Sequence, residues 1–175
     1  MTTTAQTTDP QLPPGRWILD AAKSRAEFRV KHTWGLASVK GHIKPLSGFL
    51  TINENQQWSM ELILDATSVT TGNGMRDKDL RSDKFFNIEH HPTVRFASTS
   101  VLHDQGRLRV TGELNAGGNG AKIEPETTLR MNGPEIELDA EAILDQRVLG
   151  MTHSPLGMVK TPSILRVHAV LRTEQ

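Results

Sequence analysis

Cysteine is absent from this chain of 175 residues, and long apolar runs are absent as well. Without cysteine the protein has no disulfide, no zinc–thiolate site and no cysteine nucleophile. Its 20 basic and 20 acidic side chains cancel, whereas binding to nucleic acid or to anionic membranes needs clustered Lys and Arg. No apolar run reaches the length that spans a bilayer. We therefore expect neither a nucleic-acid partner nor a membrane span.

The first ten residues, MTTTAQTTDP, lack the basic start and the apolar core of a secretory signal. We therefore expect a cytoplasmic protein. Residues 1–15 are mainly polar and end in Pro13-Pro14-Gly15, so they are predicted to form a flexible N-terminal tail. Residues 16–173 then form a single domain, which is long enough to bury a core.

Apolar and charged side chains alternate along much of the chain, which is typical of strands with one buried face. The clearest alternation covers residues 24–32, 107–114 and 135–144. Further strands are predicted near residues 37–52, 58–66, 93–102, 122–131 and 163–172. Turn residues separate these segments, and Asn132-Gly133 is a strong hairpin signal. About eight or nine antiparallel strands need a shared interior, which a sandwich or a closed barrel provides.

The alternation stops between residues 71 and 91, where a run of charges of both signs begins. Asn73 is a candidate N-cap and Leu80 an apolar anchor for a short helical insertion near residues 73–90. Asp77 and Arg81 lie one turn apart in the favourable order. The carboxylates of this run, including Asp77, are interpreted as a solvated helix face.

Two further groups follow the charged run. Phe85 and Phe86 are predicted to anchor the segment on the end of the barrel. His90-His91-Pro92 is interpreted as a turn into the next strand, because the residue before a proline avoids the helical conformation.

Seven histidines invite a search for a metal or catalytic site. His90 and His91 are adjacent and therefore project differently, and no pair has ligand-like helical spacing. His32 shares the apolar phase of its strand and is predicted to point inward, whereas His42 is predicted to face solvent. No Gly-x-Ser-x-Gly elbow or phosphate-binding loop occurs, and the glycine cluster at residues 117–120 is predicted to be a turn. We expect no catalytic residue, metal or cofactor.

The barrel interior is the remaining candidate site. An eight-stranded barrel is just wide enough either to fill with its own side chains or to hold one small ligand. The inward phases carry many small residues, and aromatics are scarce, with five Phe, three Trp and no Tyr. These features favour an enclosed apolar cavity, and a filled barrel with the helix packed on one end is the alternative.

Three stretches carry recognisable motifs: WILDAAKSRAEFRVKH (residues 17–32), VKGHIKPLSGFLTI (39–52) and TGNGMRDKDLRSDKFFNIEHHPTVRFAST (71–99). Their order and content, over roughly residues 16–115, resemble the YceI-like family. The resemblance implies an eight-stranded antiparallel lipocalin-like barrel that binds polyisoprenoids and related long-chain amphiphiles. It also makes the charged run a marker of the fold and not an active site.

The C-terminal third departs from the family pattern. Met151, Leu156, Met158 and Val159 make an apolar loop, which either reshapes the cavity entrance or closes the barrel end. Asp79 also stands where relatives often carry His.

The resemblance implies a binding protein and not an enzyme. Its ligand would be a polyisoprenoid, a prenyl quinone or a fatty-acid derivative, held for transport, storage or sequestration. By the phase of the alternation, the lumen candidates are Phe28, Val30, His32, Trp34, Leu108, Val110, Leu138 and Ala140. His32 is the candidate polar contact to a head group.

Two alternatives stay open: a ligand-free interaction or stress-response module with a filled barrel, and an enzyme acting on a lipophilic substrate. The sequence also leaves open whether the barrel forms a homodimer.

Overall fold

The computed structural model of the protein describes residues 11–32, 37–152 and 162–174, with His32 and Ala37 described through their backbone. One α-helix, α1 (Gly74–Arg81), and one 3₁₀ helix (Gln146–Leu149) occur in this part of the chain. In these described residues, ten strands form one antiparallel sheet: β1 Gly15–Leu19, β2 Arg25–His32, β3 Ala37–Ile52, β4 Trp58–Thr70, β5 Thr93–Asp104, β6 Arg107–Ala116, β7 Asn119–Ile123, β8 Glu126–Asn132, β9 Glu135–Leu144 and β10 Ser163–Thr173.

The sheet closes into a barrel. Eight strands follow one another in a hydrogen-bonded ring, β10-β2-β3-β4-β5-β6-β8-β9, and β9 pairs again with β10. β1 and β2 share one place in the ring. β2 pairs with one half of β3 and one half of β10, and β1 pairs with the remaining half of each. β7 continues β8 along β6 in the same way. The eight-stranded antiparallel barrel with a short helix is therefore confirmed.

One predicted strand is in fact two. Residues 122–131 were expected to form one strand, but β7 ends at Ile123 and β8 begins at Glu126. Pro125 lies between them, and a proline has no N–H to donate to a ladder. The prediction of a single strand is wrong for this reason.

The turns follow the predicted chemistry. Asn132 is the last residue of β8, and Gly133-Pro134 makes the two-residue loop to β9, with Gly133 at a φ of 59°. Gly117 and Gly118 join β6 to β7 with φ values of 58° and 85°. Both backbone conformations favour glycine, so the hairpin is confirmed, and the glycine turn is confirmed at Gly117 and Gly118, whereas Asn119 and Gly120 belong to β7.

The interior is divided into two halves along the barrel axis. The filled half contains Leu12, Trp17, Leu50, Ile52, Leu108, Val110, Ile136, Leu138, Ala169 and Leu171. The other half, here called the cavity half, contains Ala26, Ile43, Leu64, Ala66, Val69, Val94, Leu114, Ala116, Ala121, Ile123, Ala142, Leu144, Leu149 and Met151. Phe96 and Val167 pack against both halves.

Leu12 of the filled half belongs to the segment predicted as a tail, and residues 1–10 of that segment lie outside the described residues.

The helical insertion covers the end of the cavity half. Asn73 caps α1, because its side chain accepts the Arg76 N–H at 3.0 Å. The helix ends at Arg81. Turns follow, and there the Phe86 N–H donates to the Leu80 carbonyl at 2.9 Å. Phe85 and Phe86 pack against the cavity half, which confirms both the cap and the aromatic anchor.

Asp77 is the exception to the predicted solvated face. Its side chain is buried, with an exposure of 6%. It accepts the Thr71 N–H at 2.8 Å, the Thr71 hydroxyl at 2.6 Å and the Thr70 hydroxyl at 3.1 Å. The expectation of a solvated carboxylate is therefore wrong here, because the first turn of α1 docks on the end of β4. Arg81 adds to this docking by donating to the Val69 carbonyl at 2.7 Å.

We expect Asp77→Asn to destabilise the fold in a pH-dependent way. The hydrogen bond from the Thr71 hydroxyl holds the pKa of Asp77 below its ordinary value of 3.8. Since the folded-state pKa is the lower one, ionised Asp77 stabilises the protein above pH 3.8, and this contribution is lost as the pH falls through the lowered pKa. Urea unfolding of both proteins at neutral and acidic pH measures the difference.

The matched control is Asp79→Asn on the exposed side of the same helix, which we expect to leave stability at neutral pH unchanged. Equal stability of the wild type and Asp77→Asn at neutral pH would contradict this account of the docking.

Candidate ligand-binding cavity

A cavity of about 670 Å³ occupies the cavity half of the barrel. This volume lies within the usual range for small-molecule sites. All ten strands contribute lining residues, and α1, the Phe85-Phe86 pair and the 3₁₀ helix complete the wall at the barrel end. The walls are largely apolar, so the cavity suits a hydrocarbon ligand.

Several inward-facing side chains are only half-buried. Phe28, Val30, Ala140 and Leu165 lie on the inner face of their strands, yet none is fully buried. In the filled half, by contrast, Leu50 has an exposure of 0%. The difference arises because the first group borders empty space, whereas Leu50 is surrounded by packed neighbours.

The predicted lumen residues divide between the two halves. Four of them line the cavity: Phe28, Val30, Ala140 and Leu138, the last of which borders it from the filled half. Leu108 and Val110 also face the interior, but both lie in the filled half and neither lines the cavity. Trp34 lies outside the described residues, and the side chain of His32 is not described. Contact of these residues with a ligand stays a prediction.

Sequence reasoning missed other parts of the wall. Leu165 and Val167 of β10 line the cavity beside Phe28 and Ala26, their partners on β2. Neither residue was among the predicted lumen residues, although both share the strand phase of Ala169, which faces the interior. Phe96 also lines the cavity. The alternation in β5 could have identified it, because Phe96 lies on the same face of the strand as the buried Val94.

The helical insertion contributes an aromatic contact to the wall. The rings of Phe28 and Phe86 lie with their centroids 6.5 Å apart and tilted by 52°. Such a tilted arrangement is favourable for aromatic pairs. It fixes the loop after α1 against β2 and closes this side of the barrel end.

The 3₁₀ helix closes another side of the barrel end, next to the point where the hydrogen-bonded ladder between β8 and β9 stops. β8 pairs with β9 only as far as Glu126–Glu141, and residues 142–144 of β9 pair with β10 alone in the described chain. Leu149 of the 3₁₀ helix is buried against this part of the wall. Its carbonyl accepts from the Asn119 side chain at 3.0 Å, so β7 holds the 3₁₀ helix in place.

The start of the 3₁₀ helix is fixed by a charged cap. Asp145 accepts the Arg147 N–H at 3.0 Å, and the Arg147 guanidinium reaches the same carboxylate at 2.6 Å. The hydrogen bonds from the Arg147 side chain lower the pKa of Asp145. The ionised cap therefore holds the helix that carries Leu149.

Polar side chains lie at the rim of the cavity and on the wall beside it. Arg76 and Asp79 of α1, and Asn73 at its N-cap, line the cavity. Elsewhere on the wall, the Ser163 hydroxyl donates to Gln146 Oε1 at 3.1 Å. Both residues line the cavity, and Ser163 is itself buried. An apolar interior with polar groups at its edge suits an amphiphile.

The apolar loop of the C-terminal third is only partly described. Met151 is buried in the cavity half and lines the cavity. Leu156, Met158 and Val159 lie outside the described residues.

Residues 17–171 match the YceI-like domain family. The chain belongs to the YceI-like family. Protein YceI of Escherichia coli O157:H7 is 33% identical over 110 residues, which make up 62% of this chain and 57% of that protein. The match thus spans little more than half of the curated relative.

Solved structures share the YceI-like fold. BcnA of Burkholderia cenocepacia superposes with a TM-score of 0.76 at 18% identity, covering 87% of this chain and 98% of BcnA. A polyisoprenoid-binding domain from Saccharophagus degradans, implicated in plant cell wall breakdown, gives a TM-score of 0.72 at 14% identity, covering 93% of this chain and 100% of that domain. At these identities the likeness establishes the fold alone.

Two other features of this YceI-like barrel bear on its chemistry. Among the described residues, no group of three or more His, Asp and Glu side chains is placed to hold a metal ion, and His42 is exposed as predicted. No helix in the same residues is long and apolar enough to cross a membrane.

Proposed function

We propose that this YceI-like barrel binds the hydrocarbon chain of a polyisoprenoid, a prenyl quinone or a fatty-acid derivative, for transport, storage or sequestration. The observation that carries the proposal is the apolar cavity of about 670 Å³, enclosed by strands whose inward side chains are left half-buried. The likeness of fold to a polyisoprenoid-binding domain supports the same ligand class.

The energetics favour binding through the chain. Each buried methylene contributes about 0.8 kcal/mol, so a dozen carbons contribute roughly 10 kcal/mol. Association costs about 4–15 kcal/mol in lost freedom. A dozen carbons thus offset the lower part of this range, and a chain of about 20 carbons or more exceeds all of it, so a long chain binds with few polar contacts, whereas a short one does not.

The head group would lie at the rim. The inner residues of β2 run from Ala26 through Phe28 and Val30 along the cavity wall, and the backbone of His32 follows at the end of this strand. His32 is therefore proposed as a head-group contact, together with the polar rim of α1.

Native mass spectrometry of the freshly purified protein, followed by organic extraction, tests the proposal. We expect one lipid per barrel, recovered unchanged after incubation. After delipidation, added prenyl quinone or fatty acid should raise the unfolding free energy by about 2.7 kcal/mol at a hundredfold excess over Kd. A protein that carries no lipid and ignores both ligands would contradict the proposal, and a chemically altered lipid would favour an enzyme.

A further inference from the structure

Gly41 lies directly under an aromatic ring of the cavity wall. It is buried in β3, where it pairs with Phe28 of β2. A β-carbon at position 41 would lie 2.2 Å from Phe28 Cζ, 2.5 Å from Cε1 and 2.8 Å from Cε2. The ring therefore rests on the glycine backbone, in the space that any side chain at this position would fill.

The backbone at Gly41 does not itself require glycine. Six glycines among the described residues have a positive φ, and Gly41 is not one of them. Its nearest neighbours are the three outer atoms of the Phe28 ring, which belong to a side chain that can rotate. Alanine at position 41 would therefore move the ring, and the β-strand would keep its conformation.

We propose that Gly41 is a specificity-determining residue, because it provides the recess that holds the Phe28 ring out of the lumen. The inference rests on the proposed function and names the feature that sets the width of the site. Methyl branches make an isoprenoid chain wider than a straight acyl chain of equal carbon number. A lumen widened by the recess admits the branched chain, and a lumen narrowed by the displaced ring discriminates against it.

A second ring on the wall shows why Gly41 is the informative position. A β-carbon at Gly112 would lie 2.4 Å from Phe96 Cε2 and Cζ, but also 2.5 Å from the Ala97 carbonyl oxygen. A substitution there would push on the backbone of β5 as well as on the ring. Of these two glycines, Gly41 is thus the one where a substitution changes the lumen width with less disturbance of the strands.

The experiment compares farnesol with 1-pentadecanol, two alcohols with the same number of carbons. Their Kd values are measured on the delipidated wild type and on Gly41→Ala. One extra methylene in an apolar pocket changes affinity by roughly tenfold or more. We therefore expect the preference for farnesol over pentadecanol to fall by about tenfold in Gly41→Ala.

Phe28→Leu should restore the wild-type preference when it is combined with Gly41→Ala. The second substitution removes the displaced ring, so we expect the preference for farnesol over pentadecanol to return. The two changes should thus be non-additive, as expected of residues in contact. If Gly41 only supports the aromatic ring structurally, Gly41→Ala would lower the stability of the protein and leave the ratio of the two Kd values unchanged.

Gly74→Ala is the matched control. Gly74 lies at the exposed start of α1, and a β-carbon there would have no heavy atom within 4 Å. We expect the same ratio of Kd values as in the wild type.

The outcomes separate the two proposals. If the wild type binds neither alcohol, the proposed function and the inference both fall. If it binds them and folded Gly41→Ala keeps the wild-type ratio, the inference alone falls. If Gly41→Ala does not fold, Phe28→Leu alone decides the matter: a raised farnesol preference supports the inference, and an unchanged ratio overturns it.

Discussion

Replacing Ala140 with Trp should weaken lipid binding at least about tenfold while the barrel stays folded. Ala140 lies on the inner face of β9, is only half-buried and lines the cavity. Overpacking a filled core costs about 1–3 kcal/mol, but the indole at this position enters empty space. We expect the Kd for a prenyl quinone to rise by at least about tenfold, equivalent to 1.4 kcal/mol, with little loss of stability. Fluorescence titration and urea unfolding measure the two quantities.

Ile143→Trp is the matched control on the same strand. Ile143 faces outward and has an exposure of 68%, so an indole at this position adds the same volume outside the barrel. Uptake should match that of the wild type. Full binding by Ala140→Trp, or an equal loss in both variants, would show that the chain does not occupy the lumen.

Replacing Leu50 with Ala should cause the largest loss of stability. Leu50 has an exposure of 0% in the filled half. Truncating a fully buried leucine removes packed methylenes and leaves a new void, which costs about 2–5 kcal/mol. We expect this loss in the unfolding free energy of the delipidated protein, with an unchanged dependence on urea.

Leu165→Ala tests the same truncation in the cavity half. Leu165 already borders empty space, so fewer contacts are lost and the cost should be clearly smaller than for Leu50→Ala. Equal losses at the two positions would mean that the two halves are packed alike, and the division of the interior would then be wrong.

The sequence determined which face of each strand points inward but not its height in the barrel. Residues 107–114 and 135–144 alternate as predicted, with Leu108 and Val110 buried on the inner phase of β6. Both nevertheless lie in the filled half, whereas Ala140 lines the cavity. The position of a residue along the barrel axis depends on the register between neighbouring strands. Alternation of apolar and polar residues shows the face of a strand but not this register.

The charged run shows a second limit. Asn73 was recognisable as a cap from its position before the helix. The burial of Asp77 was not recognisable, because the charge pattern of a helix carries no information about the residues that the helix packs against. This burial depends on Thr70, the last residue of β4, and on Thr71 after it, because their hydroxyls reach the Asp77 carboxylate only when α1 packs against the end of β4.

The recess at Gly41 was also beyond sequence reasoning. A glycine within a strand pattern suggests a close approach of some kind, but it does not name the neighbour. Only the pairing of β2 with β3 places the Phe28 ring on its backbone.

The central claim is that the lumen holds the chain, and NMR of the alanine methyl groups tests it most directly. With the protein labelled at alanine and a prenyl quinone bound, we expect nuclear Overhauser contacts between the chain and Ala140, Ala142 and Ala26, which line the cavity. Ala22, which lies exposed in the turn before β2, should show none. Chain contacts at Ala22 with none at the three lumen alanines would contradict the account.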